Sequence, residues 1–412
     1  MTTSPRVLLE TEILPWWEKN GVDGESGGVF TCFTNNGKRL SDDKITWSQG
    51  RWAWLCAQLH ADSLAGRLTG EPSTWASRAR ATSAFIFEHA VLDGPVTAFR
   101  LSSKGGTPAD GDAGAGSSVL ADLYAALGLA GGASSLDKGD PERARWSEAA
   151  VSLLAHAERR IADRTAPSEP YPVRAGFTDA ASLMLLLHVG SEIHKVTLCE
   201  ETAAVVDRAM LGFFGATPGA GMWQPEHWWE FRPDSVDDCD TLLARHVTPG
   251  HLLEALWMAA DACATPLPDW IPDLAVRCLE LGWDTWHGGL FRYVDRFGQH
   301  TPNRPVGRLF GDDPYETLVR RTWDTKLWWV HVEAMYATRL LAGHTGRRDL
   351  KGWHDRLSEY TLKTFPSPDG QEWLQIRDRA GRPIDTVVAL PVKDPFHIAR
   401  ALLLLNRLDG TP

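Results

Sequence analysis

Apolar residues recur along this chain with helical spacing. Leu120, Leu123, Tyr124 and Leu127 stand at i, i+3, i+4 and i+7. Leu252, Leu256, Ala259 and Cys263 mark a second stripe. Residues 181–189 are apolar on nearly every side, which predicts a buried helix capped by Thr178 or Asp179. Strand-like segments are few, short and alike. Gly27-Gly28-Val29-Phe30, Gly288-Gly289-Leu290-Phe291 and Gly370-Gln371-Glu372-Trp373 lead into polar turns ending at Gly37, Gly298 and Gly381. Each reads as a small hairpin, and each precedes a helix, over Trp47 to Arg51, Lys326 to Glu333 and Pro395 to Arg400. A hairpin–helix unit that recurs predicts a repeated helical architecture.

Residues 102–118, rich in Gly, Ala, Ser and Asp, predict a loop, as do the Pro- and Gly-marked stretches 216–221 and 302–314. No shift in composition divides the chain. The expected fold is all-α, one toroid of helix pairs over residues 1–412 with short hairpins in its loops. In such a toroid the inner helices run parallel and their N-termini gather at one end.

The 412 residues, 43% of them hydrophobic, suffice for a large core. A formal charge of -11 gives no nucleic-acid footprint. Six cysteines without a C-x-x-C pair read as free thiols of a reducing compartment. The first residues lack the basic and apolar regions of a signal peptide. Apolar runs such as 401–405 are too short to span a bilayer. These features predict a cytoplasmic protein with neither a membrane nor a nucleic-acid partner. Tryptophan is the outlier, with 19 residues, many paired or clustered. A helical core absorbs most of them; the remainder suit stacking on sugar rings.

Two stretches repeat the same chemistry. Thr248-Pro249-Gly250-His251 is followed by Glu254, and Asp394-Pro395-Phe396-His397 by Arg400. Thr and Asp are good N-caps and Pro suits the first helical position. Each histidine then falls in a first turn, where the helix dipole disfavours imidazolium. Two neutral histidines facing one pocket suit a reaction that removes a proton from one face of a carbon and returns it to the other. Glu254 and Arg400 lie one turn beyond their histidines and share their faces. From there Glu254 could orient the His251 imidazole or help open a sugar ring, and Arg400 could bind a substrate oxygen. Arg51 sits among Trp47, Trp52 and Trp54, an unusual setting for a merely solvated arginine. His331 and Glu333 are two apart, so only one should face the pocket; the same holds for Trp328 and Trp329. His246, His251 and Glu254, or Glu226 and His227, could ligate a metal. No H-x-x-x-H or H-E-x-x-H spacing supports this, and no metal is expected. Neither a phosphate loop nor a dinucleotide fingerprint is present.

Five strings occur in one order: Gly27-Gly28-Val29-Phe30, Trp47-Ser48-Gln49-Gly50-Arg51, Pro249 to Glu254, Lys326 to Glu333, and Phe396 to Arg400. Together they resemble the N-acylglucosamine 2-epimerase family. The resemblance implies an (α/α)6 barrel with His251 and His397 as the catalytic acid/base pair. It implies that Arg51, Glu254, Glu333 and Arg400 line the pocket, with Trp47 and Trp329 against the sugar. Sister groups, the cellobiose 2-epimerases and aldose–ketose isomerases, usually add a histidine on the helix matching residues 181–189. Here that position holds Ser182 or Leu183, and His188 is out of place, which favours the 2-epimerase branch. The family's H-x-P-R reads His397-Ile398-Ala399-Arg400, and residues 94–118 and 222–247 match poorly. The expected activity is cofactor-independent inversion of C2 in an open-chain aldose, with a mono- or disaccharide as substrate. The alternatives are aldose–ketose isomerisation through the same enediol and a carbohydrate-binding protein without catalysis. Glycoside hydrolysis needs two carboxylates across a glycosidic bond, and the paired histidines point elsewhere. A tryptophan-rich exterior is compatible with a homodimer.

Overall fold

The computed structural model describes residues 4–217, 219–262, 267–298, 304–385 and 393–410. Cys263, the last residue of one predicted stripe, and part of the 302–314 loop lie outside these. Among the described residues, six helices form a closed inner ring: Thr46–Leu64, Val119–Ser134, Ala180–Thr197, Pro249–Ala262, Trp328–Thr345 and Phe396–Asp409. Each packs on the next, and the last returns to the first. An outer set backs them: Pro72–Phe85, Pro141–Ala162, Glu200–Phe214, Ile271–Gly282 and Arg348–Thr364. The N-terminal helical segment, Pro5–Leu8 to Leu14–Asn20 with a π-turn between, packs on Phe396–Asp409. The predicted (α/α)6 barrel is the fold observed.

Burial separates the two rings. Val119–Ser134 is buried on almost all sides, because neighbours in the ring cover its flanks and outer helices cover its back. Pro141–Ala162 buries only a stripe, Trp146, Ala150, Leu153, Leu154, Ala155 and Ala157. Arg348–Thr364 buries only Leu350, Leu357 and Thr361. Asp179 caps the 180–197 helix, its Oδ2 accepting from the Ser182 N–H at 2.7 Å.

The strands differ from the expectation. The expected hairpins are reduced to single antiparallel bridges: Val22 with Val29 and Trp283 with Leu290 close the Gly-Gly turns, and Phe33 with Arg39 and Arg377 with Pro383 frame the polar turns at Gly37 and Gly381. Gly27 and Gly28 have φ of +77° and +85°, Gly288 and Gly289 +74° and +73°, and each pair turns the chain sharply. The residue after each pair sits in its bridge and also bonds a side chain through its own backbone. The Val29 N–H and C=O bond the Gln49 amide, both at 2.8 Å, and the Leu290 N–H donates to His331 Nε2 at 2.8 Å. The ladders lie elsewhere and are long-range. Lys44–Ile45 pairs with Arg100–Leu101, Phe177–Asp179 with Phe231–Pro233, His246–Val247 with Val294–Asp295, and Lys326–Leu327 with Ile376–Arg377. Each ladder clasps the two ends of one inner–outer helix pair. A bridge between Ser118 and Ser168 does the same for the 119–162 pair. The bond from the Lys393 N–H to Thr31 O, 2.8 Å, closes the ring between its first and last elements.

The recurrence seen in sequence is nevertheless real. Lys44, Lys326 and Lys393 are buried and play one part. Each ammonium bonds a carboxylate (Asp23, Asp284 or Glu372) and a carbonyl (Gly27, Gly289 or Trp373) in the turn before its helix. Arg51, Glu333 and Arg400 each follow their lysine by seven residues, so one position of the unit delivers all three.

One helix crossing is unusually close. A Cβ on Gly50 would lie 1.8 Å from Tyr124 O, and one on Gly128 would lie 2.6 Å from the Gly50 Cα. Glycine on both sides lets the two backbones touch.

Candidate active site

The inner helices present their N-terminal turns to one cavity of about 1360 Å³, including its open mouth. Each contributes to its wall: Trp47 and Arg51, Leu120 and Tyr124, Ser182 and Leu185, His251 and Glu254, Trp328 and Trp329, and His397. The two histidines of the repeated motif are therefore in one chamber. Both pack on the same indole. The Trp329 ring stacks on His251 at 5.1 Å between centroids and meets His397 at 5.6 Å.

Each imidazole is held by a buried carboxylate. His251 Nδ1 donates to Glu230 Oε1 at 2.6 Å, and His397 Nδ1 donates to Glu333 Oε1 at 2.8 Å. An ionised carboxylate only accepts, so in both rings Nδ1 carries a proton and Nε2 is the nitrogen left to take or give one. Glu230 accepts a second bond from the Thr248 N–H, 3.1 Å. Burial alone would lower the His251 pKa; the Glu230 carboxylate more than offsets it, and the imidazole titrates above its ordinary value. Reciprocally, burial would raise Glu230, but His251 holds it below the usual carboxylate range. This corrects the expectation that the helix start keeps His251 neutral. A dipole contributes ~0.3–1 kcal/mol. A hydrogen bond to a charged partner contributes about 1.5–3 kcal/mol, so the carboxylate wins.

The capping roles also differ between the motifs. The Thr248 hydroxyl has no hydrogen-bond partner among the described residues and caps nothing. Asp394 does cap, its Oδ1 accepting from the Phe396 N–H at 2.6 Å, while Oδ2 pairs with Arg51 Nη1. Arg51 Nη2 donates to the Tyr124 hydroxyl at 2.7 Å, and its guanidinium lies 4.2 Å from the Tyr124 ring centroid.

Glu333 and Arg400 do not line the cavity; they lie beneath it. Arg400 Nη2 bonds Glu254 Oε1, and Glu333 Oε1 at 2.6 Å. Glu333 Oε2 accepts from Trp257 Nε1 at 2.8 Å. A guanidinium that is 1% exposed and bound by two carboxylates is a support for the floor rather than a donor to a ligand. Glu254 reaches the cavity, but its carboxylate turns to Arg400; the orienting group for His251 is Glu230. Burial opposes the charge on Glu333, yet Arg400 and His397 outweigh it and keep its pKa low. Glu254, Glu333 and His397 are close enough to ligate a cation. The Arg400 guanidinium already supplies positive charge to both carboxylates there.

Trp328 and Trp329 both reach the cavity, where only one was expected. His331 is core: its Nδ1 bonds Leu327 O at 2.7 Å, and burial pushes its pKa down to about 3. His246 is also core, packed on Phe231, Tyr293 and Tyr315. His188 packs on Trp54 and Trp257, away from the chamber that Ser182 lines. The residues sequence reasoning missed are Glu230, Tyr124, Asp179, Arg292, Tyr293 and Tyr315, all in the cavity wall. The one signal for Glu230 was a lone carboxylate within Trp228-Trp229-Glu230-Phe231.

Among the described residues no helix is long and apolar enough to cross a membrane. Residues 120–401 match the family model described as N-acylglucosamine 2-epimerase (GlcNAc 2-epimerase). An N-acylglucosamine 2-epimerase of Bos taurus is 25% identical, covering 98% of this chain and 90% of the bovine protein. The human N-acylglucosamine 2-epimerase is 24% identical over 97% of this chain and 88% of its own length. The cellobiose 2-epimerase from Bacillus thermoamylovorans superimposes with a TM-score of 0.71 at 16% identity, covering 98% of both chains. A D-mannose isomerase superimposes with a TM-score of 0.71 at 15% identity, again over 98% of both chains.

Proposed function

The chain belongs to the N-acylglucosamine 2-epimerase family, whose members epimerise or isomerise sugars, and on that premise we propose that it inverts C2 of an open-chain aldose with two histidines and no cofactor. The C2 proton of a sugar becomes acidic only when C1 is an aldehyde. The site must open the ring, remove that proton, stabilise the enolate at O1, and reprotonate C2 from the other side.

His251 and His397 carry the two proton transfers, each through Nε2. Which of them removes the proton depends on which epimer is bound. Arg51 and the Tyr124 hydroxyl supply donors for the oxygen at C1, where charge develops. Trp47 and Trp329 offer flat faces to the sugar. Glu230 and Glu333 position the imidazoles, and Arg400 with Glu254 holds Glu333. The observation that carries this reading is the matched pair of imidazoles in one cavity, each tied at Nδ1 to a buried carboxylate.

The test is incubation in D2O with N-acetylglucosamine, N-acetylmannosamine, glucose, mannose and cellobiose, followed by proton NMR. Deuterium at C2 together with the C2 epimer is the expected result. A ketose product would move the chain to aldose–ketose isomerisation. Sugar binding without any exchange would leave it a carbohydrate-binding protein.

A further inference from the structure

The charges around the cavity pair off with one exception. Arg51 has Asp394, Arg400 has Glu254 and Glu333, His251 has Glu230, and His397 has Glu333. Asp179 is spent on a helix N-terminus. Arg292 also lines the cavity and is only 4% exposed, yet among the described residues no carboxylate lies within ion-pair distance of it. Its Nη1 donates to the neutral Thr322 hydroxyl at 3.2 Å, and its guanidinium lies 4.9 Å from the Tyr293 ring. Nε and Nη2 bond no acceptor among the described residues, and neither is a sealed, unsatisfied atom.

Burying a guanidinium without a counter-charge is costly. Position adds to the point. Arg292 stands two residues before the Val294–Asp295 strand, whose partner strand His246–Val247 leads directly into the helix bearing His251. The fold thus holds a cation at a fixed place beside one of the two histidines. Tyr293, against which the guanidinium lies, and Tyr315 beside it add aromatic surface to the same wall, and low-polarity surroundings strengthen a charge pair.

We propose that Arg292 is a specificity-determining residue that receives an anionic substituent of the sugar, a carboxylate, sulfonate or phosphate monoester carried away from C1 and C2. The proposal deepens the epimerase reading by naming an acidic sugar as its substrate class. A bidentate pair between a guanidinium and an oxyanion matches the two open N–H directions.

The experiment measures binding and turnover separately on the full chain. Calorimetry compares glucuronate and glucose 6-phosphate with glucose, and N-acetylglucosamine serves as the neutral acylated control. Wild type should bind an acidic sugar about ten- to a hundredfold more tightly than glucose, in a salt-dependent way. In R292Q that ratio should collapse toward one, and R292K should restore part of it. Thermal melts check that both variants fold. Equal binding of acidic and neutral sugars by wild type would overturn the proposal. So would a preference for N-acetylglucosamine that R292Q abolishes, since the guanidinium would then serve an acyl carbonyl. Deuterium exchange at C2 reports on the reaction alone. Arg292-dependent binding of an acidic sugar without exchange would sink the epimerase reading and leave this one standing.

Discussion

At the scale of single residues, the decisive contacts are the two Nδ1–carboxylate bonds. Replacing either histidine, as H251N or H397N, should cut C2 exchange by ~10²–10⁴, the usual contribution of a positioned acid or base. The Glu230 partnership predicts a direction with pH. With the epimer from which His251 removes the proton, His251 acts only when neutral, and Glu230 raises its pKa, so the rising limb of kcat/KM against pH should lie above the ordinary histidine value. In E230Q the imidazole loses that charge and titrates lower. The limb should move to lower pH while the plateau falls. An unmoved limb would show that His251 is not the group titrating. That His251 and His397 face one cavity was legible from their matched first-turn settings, and the resemblance implied Arg51, Glu254, Trp47 and Trp329 in its wall, where they lie. Glu230 was not legible. It reaches His251 through a ladder pairing Phe177–Asp179 with Phe231–Pro233, and no local periodicity reports such a pairing. The same limit explains why Arg400 was read as a donor to substrate: spacing places it on the face of His397 but cannot show the two carboxylates that enclose it.

At the scale of elements, the close crossing of Thr46–Leu64 with Val119–Ser134 sets the place of Arg51. Gly50 precedes Arg51, and its contact with Tyr124 O brings the guanidinium against the Tyr124 hydroxyl. G50A forces the two backbones apart. It should cost about 1–3 kcal/mol of stability, the usual penalty of overpacking, and carry a second signature in weakened catalysis. Chemical denaturation and C2 exchange measured together would test this; a variant as stable and active as wild type would show that the crossing can relax. The helices themselves were readable from their apolar spacing. The small turns were readable too, reduced to single bridges, but the ladders were not, because each pairs segments on either side of a whole helix pair. Only the fold shows that the Gln49 amide and the His331 ring take the remaining backbone groups of Val29 and Leu290.

At the scale of the whole molecule, the six clasps make the ring one object. Its first and last elements are joined at the Lys393–Thr31 bond, by Trp16 Nε1 donating to Gln371 at 3.1 Å, and by the packing of the N-terminal helical segment on Phe396–Asp409. We expect unfolding as a single cooperative transition, with calorimetric and van't Hoff enthalpies in agreement. Two resolved transitions would show separable halves. The toroid was legible from the recurrence of its unit and the absence of any break in composition. Its closure was not, since that rests on contacts between residues at opposite ends of the sequence.

The carboxylate grip on both Nδ1 atoms has a consequence for the catalytic cycle. Each imidazole has a single working nitrogen, so in the proposed reaction a proton leaves the sugar on one ring while another arrives from the other. A turnover therefore ends with the protein in a different protonation isomer from the one that began it. One isomer accepts one epimer and the second accepts its mirror at C2. Between turnovers the two isomers must interconvert through solvent, and that reset is itself a step that can limit the rate when sugar is abundant.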